Sequence, residues 1–252
     1  STPKPSSAAS DVYKRQLKYF FKYIPKSVNN IAVLDRTKEP GSLAEPLYLD
    51  VKSAFYNSDW RPVIVGGRYA LGGKDILPAH IISIYQNLAA ERPKDGFTVG
   101  IVDDVTFRSL PAPGKDIDIS SPGITACKFW GLGSDGTVGA NKSAIKIIGD
   151  KTAMFAQAYF AYDSKKSGGV TMSHLRFGDH PIKSPYLIHQ ADFISCSQQS
   201  YVSKYHLLAG LKPNGIFLLN CSWDAAELDD KLPTAMKRYI ADNHIRFYIV
   251  NA

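Results

Sequence analysis

Four glycines, Gly131, Gly133, Gly136 and Gly139, fall within nine residues between a short β-compatible run starting at Cys127 and Ser143-Ala-Ile-Lys-Ile-Ile, which reads as a helix. Gly131-Leu-Gly-Ser-Asp-Gly136 satisfies the G-x-G-x-x-G pattern in the strand, turn, helix setting that gives the pattern meaning. The chemistry available is the holding of a phosphate. Glycines let backbone N–H groups approach a pyrophosphate, and a helix N-terminus adds partial positive charge. The candidate binding residues here are Gly131, Gly133, Ser134, Asp135, Gly136, Thr137, Gly139, Asn141 and Lys142.

One strand later, Asp163 is followed by Lys165, Lys166 and Ser167, with Gly168 and Gly169 keeping the loop open. A Rossmann-like unit reads the ribose at the end of its second strand, with an acid for NAD and cations for a ribose phosphate. Two ammonium groups and a hydroxyl therefore suit a phosphorylated adenosine ribose. The competing reading is a solvated charge pair on a loop. On these residues alone NADP and coenzyme A fit equally well, since both carry a ribose phosphate and a pyrophosphate.

Catalytic candidates are poor, and no catalytic residue or metal ligand is assigned. The six histidines, His80, His174, His180, His189, His206 and His244, form no Ser/His/Asp or H-x-x-x-H arrangement. His80 falls on the apolar face of its helix and reads as a packed residue. His174 and Arg176 alternate onto one strand face, as buried partners or as cleft residues. Asp103-Asp104, at a strand end, reads as a cap or a loop pair rather than a general acid and base. Cys127 and Cys196 read as inert packing residues. The three cysteines are dispersed, odd in number and without a C-x-x-C pair, which points to a reducing, cytoplasmic compartment. They are also too few to hold an iron–sulfur cluster or a structural zinc.

The elements that must position these residues follow from periodicity. Asn30–Asp35, Pro62–Gly66 and Gly96–Asp103 read as strands, and Lys74–Ala90 as a helix with Ile76, Leu77, His80, Ile81, Ile84 and Leu88 on one face. Pro111, Pro113 and Gly114 mark a linker, and the boundary between two domains is expected near residue 122. The second unit continues with a helix over 137–148, strands over 153–162, 170–177 and 191–196, and a helix over 201–211. A strand over 215–220, a helix over 227–243 interrupted by Pro233, and a last strand over 246–250 complete it. Strands alternating with helices imply an α/β fold class: two Rossmann-like, doubly wound domains with mainly parallel sheets. Ending on a parallel strand, the chain reads as a fragment of something longer. Residues 1–16, rich in Ser, Pro and Ala, read as a tail or a scar outside the fold.

The 252 residues are 44% hydrophobic and 21% charged, a composition that excludes a disordered or membrane chain. No apolar run approaches a membrane span, and no apolar signal core opens the chain. The formal charge of +7 suits an anionic partner. Scattered basic residues without interleaved aromatics argue for a phosphorylated small molecule and against nucleic acid.

Four stretches together resemble the pyruvate:ferredoxin (flavodoxin) oxidoreductases: Val33–Gly41, Gly66–Asp75, Phe129–Lys142 and Tyr162–Val170. The resemblance runs from about residue 17 to the C-terminus. It implies that 17–122 is a transketolase C-terminal-like domain with a C-terminal linker. It also implies that 123–252 is a gamma-type coenzyme A-binding domain, which would assign the glycine turn and the Lys165, Lys166, Ser167 loop to coenzyme A. The parent enzyme would decarboxylate pyruvate on thiamine diphosphate, pass electrons through [4Fe-4S] clusters to ferredoxin or flavodoxin, and act as a homodimer. No thiamine motif and no cluster cysteines occur in this sequence, so those groups would be held by the remaining domains. A module that only packs the catalytic domains together, without its own ligand, is the reading of a different class.

Overall fold

The computed structural model describes residues 17–111, 117, 119–162 and 168–252. The expected tail and the Lys165, Lys166, Ser167 loop lie outside them. The chain divides into two compact units, Ser1–Ile117 and Asp118–Ala252.

The first unit opens with α1 (Leu17–Tyr23) and contains β1 (Asn30–Asp35), α2 (Pro46–Ala54), β2 (Val63–Tyr69), α3 (Pro78–Ala89) and β3 (Phe97–Val99). Its strands form a parallel sheet in the order β1-β2-β3. Alternate residues of β1 feed two cores, as a strand covered on both sides requires. Val33 joins Tyr48, Val51 and Phe55 of the α2 side, while Ala32 and Leu34 join Val65, Ile84 and Phe97 beneath α3. Helix α2 lies in a stretch to which periodicity assigns no element. Its first-turn amides, Leu47 N and Tyr48 N, donate to the Asp35 carboxylate at 2.9 and 3.1 Å, so the capping group comes from the end of β1 and not from the preceding residues. The strand expected over 96–103 shortens to three residues, because the chain turns away at Gly100 and returns with Ser109 beside Thr98.

The second unit contains β4 (Ile124–Leu132), α4 (Thr137–Lys151), β5 (Phe155–Tyr162), β6 (Val170–Gly178), β7 (Ala191–Cys196), β8 (Leu211–Asn220), α5 (Leu228–Lys231), α6 (Thr234–Asp242) and β9 (Arg246–Val250). The six strands run in the order β5-β6-β4-β7-β8-β9. β4, β7, β8 and β9 are parallel, whereas β6 is antiparallel to both β4 and β5. The mainly parallel α/β reading holds, with an antiparallel margin. That margin matters for the site: β5, the strand after the glycine helix, does not lie beside β4 as in a simple βαβ unit.

The main core packs Ile194, Cys196, Phe217 and Leu219 against Tyr201, Leu207, Leu208 and Met236. The helix expected over 201–211 is a 3₁₀ turn, Gln199–Ser203, followed by irregular backbone into β8. Leu207, Leu208 and Leu211 are spaced like a helix face, yet a reversal at Gly210 (φ +77°) buries all three without one. Among the described residues no helix is long and apolar enough to cross a membrane.

Candidate functional site

The glycine stretch folds as its spacing predicts: β4 ends at Leu132, residues 133–136 turn, and α4 starts at Thr137. Beside it lies a cleft of about 350 Å³, lined by Gly133, Ser134, Asp135, Gly136 and Gly139 together with Tyr162, Gly169 and Thr171. The cleft brings the glycine turn together with Gly169, which follows the lysine loop in sequence. β5 and β4 point the same way with β6 between them, so the segment after Tyr162 leaves from the same edge as the glycine turn. The Gly133 amide donates to the Gly169 carbonyl at 2.7 Å, tying the turn to the start of β6. A Cβ on Gly133 would sit 3.2 Å from that carbonyl oxygen, a tight contact that would push the turn and Gly169 a few tenths of an ångström apart.

Other candidates take supporting positions. Gly131 is buried, and a side chain there would meet Thr137 and Thr171 at 2.8 Å. Asn141 is buried against the sheet with its Nδ2 lacking a partner. Lys142 Nζ lies 5.4 Å from the centre of the Phe160 ring. Lys165, Lys166 and Ser167 fall outside the described residues, although the Gly168-Gly169 pair that follows them borders the cleft through Gly169.

Asp135 organises the turn. Its carboxylate accepts from Leu132 N, Thr137 N and Ser197 Oγ, each at 2.8 Å. Burial pushes its pKa up, but these hydrogen bonds together outweigh burial and hold the carboxyl below its ordinary value. The Thr137 amide is thereby used, which leaves an anion the amides of Val138 and Gly139, first-turn groups without an intrahelical acceptor. Asp135→Ala is expected to cost about 2 kcal/mol of stability by leaving these donors without their acceptor. A urea titration monitored in the second unit checks this, and an unchanged midpoint would show the carboxylate to be dispensable.

Sequence reasoning missed Thr171 and Tyr162. Thr171 is 6% exposed, borders the cleft, and its Oγ1 has no hydrogen-bond partner among the described residues. The signal was available: in Val170-Thr-Met-Ser the alternation puts Thr171 and Ser173 on one face, and Thr171 pairs with Gly131 across the sheet.

The opposite face of β6 carries His174 and Arg176, both buried, with buried Lys128 paired across from His174 on β4. His174 Nδ1 accepts from the Ile188 amide, so the ring is neutral with its proton on Nε2. Lys128 Nζ donates to the Ala209 carbonyl, and Arg176 donates to Gln157 and lies over the Tyr186 ring. These groups are interior partners and not a nucleophile set. Burial raises the Cys127 thiol to about 12 and the Cys196 thiol to about 11, so both are inert, as expected. Asp103 ties down the loop after β3 by accepting from the Val105 and Thr106 amides.

Comparison with known proteins finds a match to the family model described as pyruvate ferredoxin/flavodoxin oxidoreductase over residues 126–252, half of the chain. A pyruvate-flavodoxin oxidoreductase of Enterobacter agglomerans is 87% identical over 236 residues, covering 94% of this chain and 20% of the relative. The pyruvate:ferredoxin oxidoreductase of Moorella thermoacetica is 58% identical over 234 residues, covering 93% of this chain and 20% of the relative. The gamma subunit of a keto/oxoacid ferredoxin oxidoreductase from Geobacter sulfurreducens aligns with 50% of this chain and 61% of its own, at 20% identity and a TM-score of 0.35. The chain thus spans about a fifth of the length of the curated relatives it matches.

Proposed function

Because the chain belongs to the pyruvate ferredoxin/flavodoxin oxidoreductase family, we propose that it is a segment of a longer enzyme that oxidatively decarboxylates pyruvate to acetyl-CoA, with ferredoxin or flavodoxin as acceptor. Within that enzyme, residues 17–122 form a transketolase C-terminal-like domain with its linker, and residues 123–252 a gamma-type domain that holds coenzyme A. Thiamine diphosphate and the [4Fe-4S] clusters belong to domains outside this chain, which supplies no residue to either. The parent is a cytoplasmic homodimer with neither nucleic acid nor membrane as a partner.

One observation carries the coenzyme A assignment: the Gly133–Gly169 hydrogen bond brings the glycine turn and the end of the lysine loop into one cleft, which Thr171 borders with an unpartnered hydroxyl. The residues fit the ligand. The Val138 and Gly139 amides and Thr171 Oγ1 supply donors for pyrophosphate oxygens, and Gly133, Ser134 and Gly136 keep the approach free of bulk. Asp135, Thr137, Gly131, Asn141 and Lys142 shape the turn. Lys165, Lys166 and Ser167 take the ribose phosphate. When bound, coenzyme A supplies the thiol that accepts the acetyl group; this chain's part is to hold the phosphate end.

Titration calorimetry of the chain with coenzyme A, dephospho-coenzyme A and NADP tests the reading. Lys165→Ala/Lys166→Ala is expected to weaken coenzyme A at least tenfold and to abolish discrimination against the dephospho form. Thr171→Val is expected to weaken both forms about fivefold. Tighter binding of NADP, or affinity indifferent to the lysines, would reject the assignment.

A further inference from the structure

The glycine turn and the start of β6 form one side of the cleft; Tyr162, the last residue of β5, and Val138, in the first turn of α4, also line it. All of its lining residues belong to the second unit.

Strand register fixes which way Tyr162 faces. Thr171 pairs with Tyr162 on β5 and with Gly131 on β4, and directly paired residues share a face. Tyr162, Thr171 and Gly131 therefore form one row across three strands, on the face that α4 covers, since a side chain on Gly131 would meet Thr137. Along that row the floor changes from no side chain, to a hydroxyl, to an aromatic ring.

The helix above is placed by the contact of Lys142 Nζ with the Phe160 ring, 5.4 Å from its centre. Val138 precedes Lys142 by four residues, so it lies on the same helix face about 6 Å nearer the N-terminus. Tyr162 follows Phe160 by two residues, so it lies on the same strand face about 6.6 Å further on. β5 is parallel to β4, and α4 returns from the end of β4 to the start of β5, so both steps run the same way. Val138 thus stands over Tyr162 as Lys142 stands over Phe160. The lysine fills its gap with a four-carbon stem, whereas the valine ends at its branch, and the cleft opens between it and the phenol. An aliphatic side chain above and an aromatic ring below accept a flat ring and suit neither a phosphate nor a flexible chain. This slot adjoins the Val138 and Gly139 amides offered to the pyrophosphate, where a nucleoside diphosphate carries its base.

We propose that Tyr162 is a specificity-determining residue of this site: its ring stacks on the adenine of coenzyme A, and Val138 covers the other face of the base. This rests on the reading of the cleft as a coenzyme A site. Affinity then has two separable parts, phosphates held by amides and a hydroxyl, and a base held by stacking. Removing either the ring or the base abolishes the second part and spares the first.

Titration calorimetry of the full-length protein with coenzyme A and with its abasic analogue, which carries hydrogen in place of adenine on the ribose, tests this. The parent is expected to bind the abasic analogue about tenfold more weakly than coenzyme A. Tyr162→Ala should weaken coenzyme A by the same factor and leave the abasic analogue within about twofold. Tyr162→Phe, which keeps the ring, should hold coenzyme A within about threefold of the parent. Equal affinity of the parent for the two ligands would overturn the stacking without any variant. So would a Tyr162→Ala protein that binds coenzyme A as the parent does, or one that loses both ligands equally, the mark of a structural role. In each of those cases coenzyme A still binds the parent and its assignment stands. A parent that binds neither ligand would instead overturn the coenzyme A assignment, and the stacking with it. Tyr162→Leu, which keeps apolar bulk without a ring, gives the same comparison if Tyr162→Ala fails to fold.

Discussion

Gly210→Ala is expected to lower the stability of the second unit by about 4 kcal/mol, a fall in its melting temperature of roughly 10–20 °C. Gly210 has φ +77°, where a β-carbon costs about 1–2 kcal/mol from backbone contacts alone. The added atom would also lie 1.8 Å from the His189 carbonyl oxygen, far inside any real contact. Relief requires His189 and Gly210 to separate, and that pair is bound into the core. The Ala191 amide donates to the Gly210 carbonyl at 2.7 Å, Lys128 Nζ donates to the Ala209 carbonyl at 2.8 Å, and Ala191 and Leu211 are almost fully buried. Losing those two hydrogen bonds supplies the remaining roughly 2 kcal/mol. Gly149→Ala is the internal control: it lies in α4 with nothing within 4 Å of the new methyl, so it should stabilise by about 0.5–1 kcal/mol. Calorimetric melts of the two variants should move in opposite directions, and a Gly210→Ala melt within 2 °C of the parent, on the order of 0.5 kcal/mol, would refute the argument.

The second large effect is acid sensitivity. His174 is 3% exposed, and burial above all, reinforced by Lys128, Arg176 and His189, depresses its pKa to about 3. In the unfolded chain the ring titrates near 6.5. Below pH 6.5 the unfolded state therefore binds a proton that the folded state refuses, and stability falls as pH drops from 6.5 towards 3. Between pH 7 and pH 4.5 the loss from this ring alone should reach about 2.5 kcal/mol, with carboxylates adding to it only at the acid end of that window. His174→Asn provides the comparison, since its side-chain oxygen can accept the Ile188 amide without titrating. Urea midpoints at pH 7.5, 6.0 and 4.5 should fall steeply for the parent and little for the variant; parallel lines would mean that the ring does not govern acid stability.

What the sequence disclosed depended on how local each cause was. The Gly131–Gly136 turn and helix α4 were legible because strand, glycines and helix are contiguous. β1 and β2 were legible as short apolar runs, although β2 continues through Gly66-Gly67 to Tyr69, past the end expected at Gly66. Helix α2 was hidden because Asp35, which caps it, lies eleven residues before Pro46. The 201–211 segment was misread because Leu207, Leu208 and Leu211 satisfy a helical period while Gly210 fixes a different path. β5 was visible as a strand but not in its place, since its strand partner among the described residues, β6, follows it and runs antiparallel. At the site, Asp135 read as one more candidate ligand, whereas its carboxylate braces the turn. Alternation marked the face of Thr171, but its place beside the glycine turn comes from β6 pairing with β4.

That placement of β6 sets a schedule for the chain as it is made. β4 is flanked by β6 on one side and β7 on the other, so neither edge of this central strand has its partner until sequence far downstream has emerged. From Leu132 to Cys196 is 64 residues, and at about 5–20 residues per second a ribosome needs roughly 3–13 s to supply them. For that interval Cys127, Phe129 and Trp130 stand on a strand with at least one edge open, both until β6 is made and the β7 edge thereafter, the condition under which nascent β-structure recruits other chains. The second unit is therefore a client for protection during synthesis, and its vulnerable period ends when β7 closes the sheet.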